Sequence, residues 1–539
     1  MTISEKYPPE YSTDEFELNN SGITKPQRIS ASRYGMVSSA HFLATKAGSE
    51  ILKKGGNAID AAVATAYALG VCEPHASGLG GQTMLLFYEK KTGKTIALDG
   101  SSRAPHRLIP GAYSKSDLIT GFRATTVPST PAVLEYVQKR YGAIHSDKVF
   151  QPAIALANDG YQITPLQHAL TKRELHNLKK GSASSLFLKN GQRPYPVGHI
   201  FKQPNLAIAL KRLAKHGSKT FYRGKIARSI VRDMIANGGL IRKDDLAQIP
   251  FPIERKPISC KFEGKRVITF PPPGAGRVLV EMLNLYSHLP KKFWNLDIPE
   301  GALALAEVIR QCNIDRNDRP RNPDFFPQVL QEKMLSRDYA ETVSKKIHKN
   351  IRSSGETTHL SVMDQAGNVV ALTQSIERVY GSCEVNSEYG FLYNNYMSAF
   401  EYDDISHPYY LRPNAVPWAS VAPTIIFKGK NPWISIGSPG SERIASSILQ
   451  VLLRLENRSP LEAVSAPRLH CSLDKKVSLE ASRIRDDVIS GLIKHKYTIA
   501  EKEPYSFYLG CVQMVMCEGK NFIGVADPRR DGSACGPEF

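Results

Sequence analysis

The chain has 539 residues, 42% hydrophobic and 22% charged, which is ordinary for a globular protein and long enough to bury a large core, as two to four domains or one large α/β unit. The net charge of +19 is less ordinary: 70 Lys+Arg stand against 51 Asp+Glu, with the excess visible between Lys172 and Lys243. Such a charge attracts polyanions, anionic lipid or acidic substrates, but no RNA-binding signature, zinc-finger spacing or basic-aromatic stripe is present, so a basic solvated surface is expected and a nucleic-acid partner is not.

Residues 1–32 read as a flexible lead-in, polar and acidic at first, without a basic-then-apolar signal segment. No apolar run reaches membrane-spanning length, so a cytoplasmic protein without a membrane span is expected. Thr45 to Lys54 reads as a helix closed by Gly55-Gly56. Asn57 suits the N-cap of a second helix, Ala58 to Val71, so rich in alanine and poor in charge that it must be buried. Gly78 to Gly81 precedes a strand, Thr83 to Glu89, but neither GxGxxG before a helix nor a Walker lysine is present; these glycines read as close backbone packing. A hairpin strand, Thr95 to Asp99, follows, and then helices to about residue 330 that suggest an outer helical layer. Eight scattered cysteines without a CxxC argue for free thiols rather than a disulfide framework or a zinc site, and no cofactor or metal is expected.

The central stretch is Gly355-Glu356-Thr357-Thr358-His359-Leu360-Ser361-Val362-Met363-Asp364. With Val369 to Ile376 after a Gly-Asn turn it reads as a β-hairpin. The polar run from Ile351 to Glu356 reads as an exposed, cleavable loop. A cut before Thr357 would put a hydroxyl and an α-amine on one residue, and an amine with a pKa of about 8 can take the hydroxyl proton. Strands follow at 421–427 and 432–436, then a helix from Glu442 to Glu456 and a last hairpin near Phe507 to Met516 and Asn521 to Ala526. Strands flanked by helices suit layered α/β packing.

The run Thr357-Thr358-His359-x-Ser361-Val362-x-Asp364-x-x-Gly367-Asn368 resembles the start of the small subunit of γ-glutamyltranspeptidases, which are N-terminal-nucleophile hydrolases. The resemblance continues in Tyr380-Gly381-Ser382, Asn394-Asn395-x-Met397, Gly437-Ser438-Pro439-Gly440 and Ala526-Asp527-Pro528-Arg529-Arg530, and reaches back to Gly55-Gly56-Asn57-Ala58 and Gly78-Leu79-Gly80-Gly81. It covers residues 33 to 533, roughly. It implies an αββα sandwich built jointly by a large fragment, 33–356, and a small catalytic fragment, 357–539, held as an intramolecular heterodimer that can oligomerise further.

The resemblance also implies site roles. Thr357 is the nucleophile and Glu356-Thr357 the self-cleaved bond. Ser375 stands where the family has a threonine that holds the new amine. Gly440 and Ser441 match the two oxyanion-hole glycines, the serine being a departure that keeps its N–H. Ser420 matches one of two pocket serines, with Ala419 at the other. The substrate clamp departs more. Ser101 occupies the position of the carboxylate-binding arginine, and Arg103 lies two residues on. Glu377, Tyr396 and Ala399 stand where the family has asparagine, glutamine and aspartate. Losing that bidentate arginine and its acidic counterpart removes about 2–5 kcal/mol of charge-assisted recognition. Glutathione is therefore expected to be a poor donor. Glu377 resembles branches with capsule-processing transpeptidases and cephalosporin acylases.

Three functions follow as expectations: a γ-glutamyl amidohydrolase or transferase passing an acyl group to water or an amine; an acylase of the same family with a non-glutamyl donor; or an uncleaved, non-enzymatic basic binding protein. No GxSxG pentapeptide or metalloprotease helix motif offers another hydrolase.

Overall fold

The computed structural model describes residues 26–249, 252–318, 322–323, 335–344 and 356–538. Two seven-stranded antiparallel sheets dominate it. Their strands, numbered along the chain, are β1 (Ile29–Ser32), β2 (Gly35–Ser39), β3 (Gln82–Glu89), β4 (Lys94–Gly100), β5 (Ile253–Arg255), β6 (Ile258–Phe262) and β7 (Lys265–Thr269). The second half adds β8 (Glu356–Asp364), β9 (Val369–Glu377), β10 (Thr424–Lys428), β11 (Asn431–Gly437), β12 (Gln513–Glu518), β13 (Asn521–Ala526) and β14 (Ser533–Cys535). One sheet runs β1-β13-β12-β11-β10-β7-β6, the other β14-β2-β8-β9-β3-β4-β5.

Period-two alternation turns these sheets into four layers. On β3, Met84, Leu86 and Tyr88 enter the core between the sheets, while Leu85 and Phe87 face the outer helices. Helices α1 (Phe42–Lys53) and α2 (Ala58–Cys72) cover β2, β8 and β9. Helices α3 (Gly276–Ser287) and α4 (Arg443–Arg454) cover the other sheet. Three apolar cores result, one between the sheets and one under each helical layer, as an αββα sandwich requires. Helix α2 is buried at every residue except Gly70, as its alanines demand, and Asn57 and Asp60 form the capping box at its start. The Gly80 and Gly81 backbones do pack closely: a Cβ would lie 2.0 Å from the Leu392 carbonyl oxygen and 2.3 Å from that of Ser375. All eight cysteines are free.

Two expectations need correction. Residues 29–32 are not a lead-in but strand β1, paired with β13, and Arg28 donates to the Arg530 carbonyl at 2.8 Å. Residues 1–25 lie outside the described residues. Before residue 330 the chain also supplies strands: β5 borders one sheet, and β7 continues the other with β6 at its edge. Glu356 is the first residue of β8 rather than loop; the remainder of the expected cleavable segment, 351–355, lies outside the described residues. Among the described residues no helix is long and apolar enough to cross a membrane.

Candidate active site

Alternation on β8 decides which side chains meet. Leu360 and Val362 enter the core under α1 and α2, and Met363 enters the core between the sheets. His359 and Ser361 share the face of Met363, and so does Thr357, which is 4% exposed. Ser361 Oγ confirms this face, receiving Ser435 Oγ at 3.1 Å and donating to the Gln513 carbonyl, both from the opposite sheet. Thr358 points the other way. Its hydroxyl donates to Glu73 Oε2 at 2.5 Å, and Glu73 Oε1 is paired with Arg530 at 2.5 Å.

On β9, Thr373 and Ser375 take the inter-sheet parity set by Val369 and Ala371. His359 joins the two strands: Nδ1 lies 2.8 Å from Thr373 Oγ1 and Nε2 3.2 Å from Ser361 Oγ. Burial lowers its pKa to about 3, so the ring is neutral at physiological pH. The ladder is irregular at Thr357. Glu356 pairs with Glu377 and Thr358 with Gln374, so one residue of β8 opposes both Ser375 and Ile376. Such bulges re-aim side chains next to functional sites.

A polar row crosses the sheet from here. Ser375 pairs with Gln82, which lies one step beyond the Thr83–Gly100 pair and so opposite Ser101. Ser375 Oγ accepts the Glu377 N–H at 2.8 Å, and Glu377 holds φ at +77°, a conformation rare for a non-glycine residue. The buried Tyr396 hydroxyl completes the cluster against Ser375, Gln82 and Glu377; burial first, then the Glu377 charge, pushes the phenol pKa well up. Ser101 is fixed by N–H and Oγ bonds to Asp99 Oδ1 at 2.9 and 2.5 Å, and Arg255 Nε holds the other Asp99 oxygen at 2.6 Å.

The second wall is the turn from β11 into α4. A Cβ on Gly437 would lie 2.2 Å from His359 Cε1, so the glycine lets this turn lie flush against β8. Gly440 (φ +121°) and Ser441 (φ +53°) follow, their carbonyls accepting the N–H groups of Arg443 and Ile444 at 3.0 Å. The N–H groups of Gly440 and Ser441 donate to no described residue. Unused N–H groups before a helix N-terminus suit a developing oxyanion.

The fold thus brings Thr357, Ser375, Glu377, Tyr396 and Ser101 to one sheet face, and Gly440 and Ser441 to the turn whose first residue packs on that face. Arg103 donates from its guanidinium to the Asn414 carbonyl at 2.8 Å, and its backbone pairs with Val127. Ser420 is half-buried before β10, its neighbour Val421 bonded to Ala275, and its hydroxyl bonds no described residue. Gln82, Glu73 and Arg255 escaped the sequence reading, and Arg530 stood in it only as part of a family run. Their roles rest on pairings across hundreds of residues. Among the described residues no group of three or more His, Cys, Asp or Glu side chains could hold a metal ion.

A four-layer sandwich with a threonine beginning a central strand on the inter-sheet face has the architecture of N-terminal-nucleophile hydrolases. It superposes on the crystal structure of a cephalosporin acylase from Bacillus halodurans with a TM-score of 0.87 and 27% identity, over 97% of this chain and 99% of that one. The chain belongs to the gamma-glutamyltranspeptidase family, whose pattern it matches over residues 44–536. It is 33% identical to a glutathione hydrolase proenzyme of Escherichia coli strain K12, over 92% of this chain and 90% of that protein. It is also 31% identical to an acylase ACY 1 proenzyme of Pseudomonas sp. strain V22, over 81% of this chain and 82% of that one. It is therefore an enzyme of γ-glutamyltranspeptidase type, an amidohydrolase or acyltransferase, and the expectation of a non-enzymatic binding protein is set aside.

Proposed function

We propose that the chain cuts itself between Glu356 and Thr357 and then uses Thr357 to cleave amide bonds. In the first step Thr357 Oγ adds to the Glu356 carbonyl carbon, the C–N bond breaks as nitrogen gains a proton, and water opens the resulting ester. The fragments are 1–356 and 357–539. In the second step the freed α-amine takes the Thr357 hydroxyl proton, Oγ attacks the donor amide, the amine leaves protonated, and water or an amine releases the acyl group. Ser375 holds the α-amine, and the N–H groups of Gly440 and Ser441 receive the oxyanion. The observation that carries this reading is the register shift that leaves Thr357 opposite both Ser375 and Ile376. The unused turn N–H groups support it.

The acyl donor extends over Ser375, Gln82 and Ser101, with Glu377 and Tyr396 beside it. No guanidinium stands at position 101, and Asp99 is already engaged by Ser101 and Arg255. These points, with the likeness to acylases, favour a second reading in which the donor is a non-glutamyl amide. Intact mass of the purified protein tests self-cleavage: two masses meeting at the 356/357 bond are expected, and an uncut chain that turns over amides would end the proposal. Parallel kinetics with a γ-glutamyl anilide and a simple acyl anilide decide between the donors, the acyl anilide being expected to react faster.

A further inference from the structure

The end of the sandwich opposite Thr357 is built differently. There the β1–β2, β3–β4, β8–β9, β10–β11 and β12–β13 turns surround a cavity of about 690 Å³. It lies one strand length from the candidate active site: Gln365, on its wall, is eight residues from Thr357, roughly 27 Å along an extended strand.

Four separate turns each deliver one exposed cation to this mouth: Arg33, Lys90, Lys428 and Lys520. No lining residue is acidic. Glu518 is next in sequence to the lining Cys517, but alternation along β12 places it on the helix-facing side. The floor is apolar, made by Met363, Val369 and Phe522, the last members of the inter-sheet core. Trp433 lines the wall while packing against the core under α3 and α4; Lys428 Nζ lies 3.8 Å and Lys265 Nζ 5.3 Å from its ring centroid, and its buried indole Nε1 has no hydrogen-bond partner among the described residues. Among the described residues Lys90 Nζ reaches Asn431 Oδ1, at 3.3 Å.

Like charges around one mouth repel, and the chain's net charge of +19 adds to that repulsion. Solvated turns do not require lysine or arginine; neutral polar residues serve as well. A convergent cationic rim over an apolar floor has a clear complement. We propose that this cavity binds an amphiphilic organic anion, a carboxylate head on an apolar body. The head meets Arg33, Lys428 and Lys520, and the body lies against Met363, Val369, Phe522 and the Trp433 ring. Few oriented polar groups above an apolar lining is the usual composition of a small-molecule site.

Dodecanoate titrated into the full-length protein tests this, read by fluorescence of the three tryptophans. A saturable change is expected that disappears in Trp433→Phe. The double variant Lys428→Glu/Lys520→Glu should bind at least tenfold more weakly while anilide turnover stays unchanged; Lys428→Gln/Lys520→Gln replaces it if the charge reversal does not fold. No saturable change, a signal that survives Trp433→Phe, or undiminished binding by the lysine variants would overturn the proposal. So would dodecanol binding as tightly as dodecanoate, because the head would then be unrecognised, or inorganic phosphate binding as tightly, because the body would be.

Discussion

The two ends of the space between the sheets are made from the same hairpins yet differ in almost every physical respect. At the Thr357 end, polar side chains are buried and tied to one another: His359 to Thr373 and Ser361, Thr358 to Glu73, and Glu73 to Arg530. Glu377, Tyr380 and Ser441 hold positive φ there, and glycines stand where a Cβ would collide. At the other end, exposed cations ring an apolar floor and have few partners. Buried hydrogen bonds away from water fix atoms to one arrangement, whereas solvated lysines cost little to move. Chemistry that needs an oxygen aimed at a carbonyl belongs at the first end; adaptable capture of a charged molecule suits the second.

The sharpest way to break this contrast is Thr357→Ala. The variant should remain one chain on a denaturing gel and lose at least about a thousandfold in anilide turnover, because nucleophile and base are removed together. Processing at the same bond in this variant would move the nucleophile elsewhere. Next is Glu73→Ala. It breaks the ion pair with Arg530, in which both residues are 2% exposed, and should cost about 3–5 kcal/mol in urea unfolding while slowing self-cleavage. A change below about 0.5 kcal/mol would show that the Thr358 clamp is not structural. Smaller still is Gly437→Ala. Its Cβ must displace the His359 ring, so a loss of about 1–3 kcal/mol in thermal unfolding is expected, whereas alanine at exposed Lys428 should stay within about 0.5 kcal/mol. Equal losses at the two positions would erase the difference between the ends.

Much of this was legible in the residues themselves. Local rules placed α2 by its alanines and its Asn57 cap, the β8–β9 hairpin by its β-branched alternation around Gly367-Asn368, and the glycine turn before α4. Motif order singled out Thr357 and Ser375, which face each other across the β8–β9 ladder, and Gly440 and Ser441, in the turn whose first residue packs on His359. Arg255 marks the limit of that reading: it holds Asp99 beside Ser101 from a strand 156 positions away in sequence.

The sequence by itself determined many of the helices and the central strands and which residue types are available for chemistry, because alternation, capping and turn preference act over a few neighbours. Only the tertiary structure decided that β1 and β5 to β7 complete the sheets, that Gln82 pairs with Ser375 while its Oε1 accepts from Ser102, that Glu73 and Arg530 lock Thr358, and that five turns converge on one basic cavity. Those relations join residues up to hundreds of positions apart, and pairing across such distances is set by which faces can be buried together, which no short window of sequence contains.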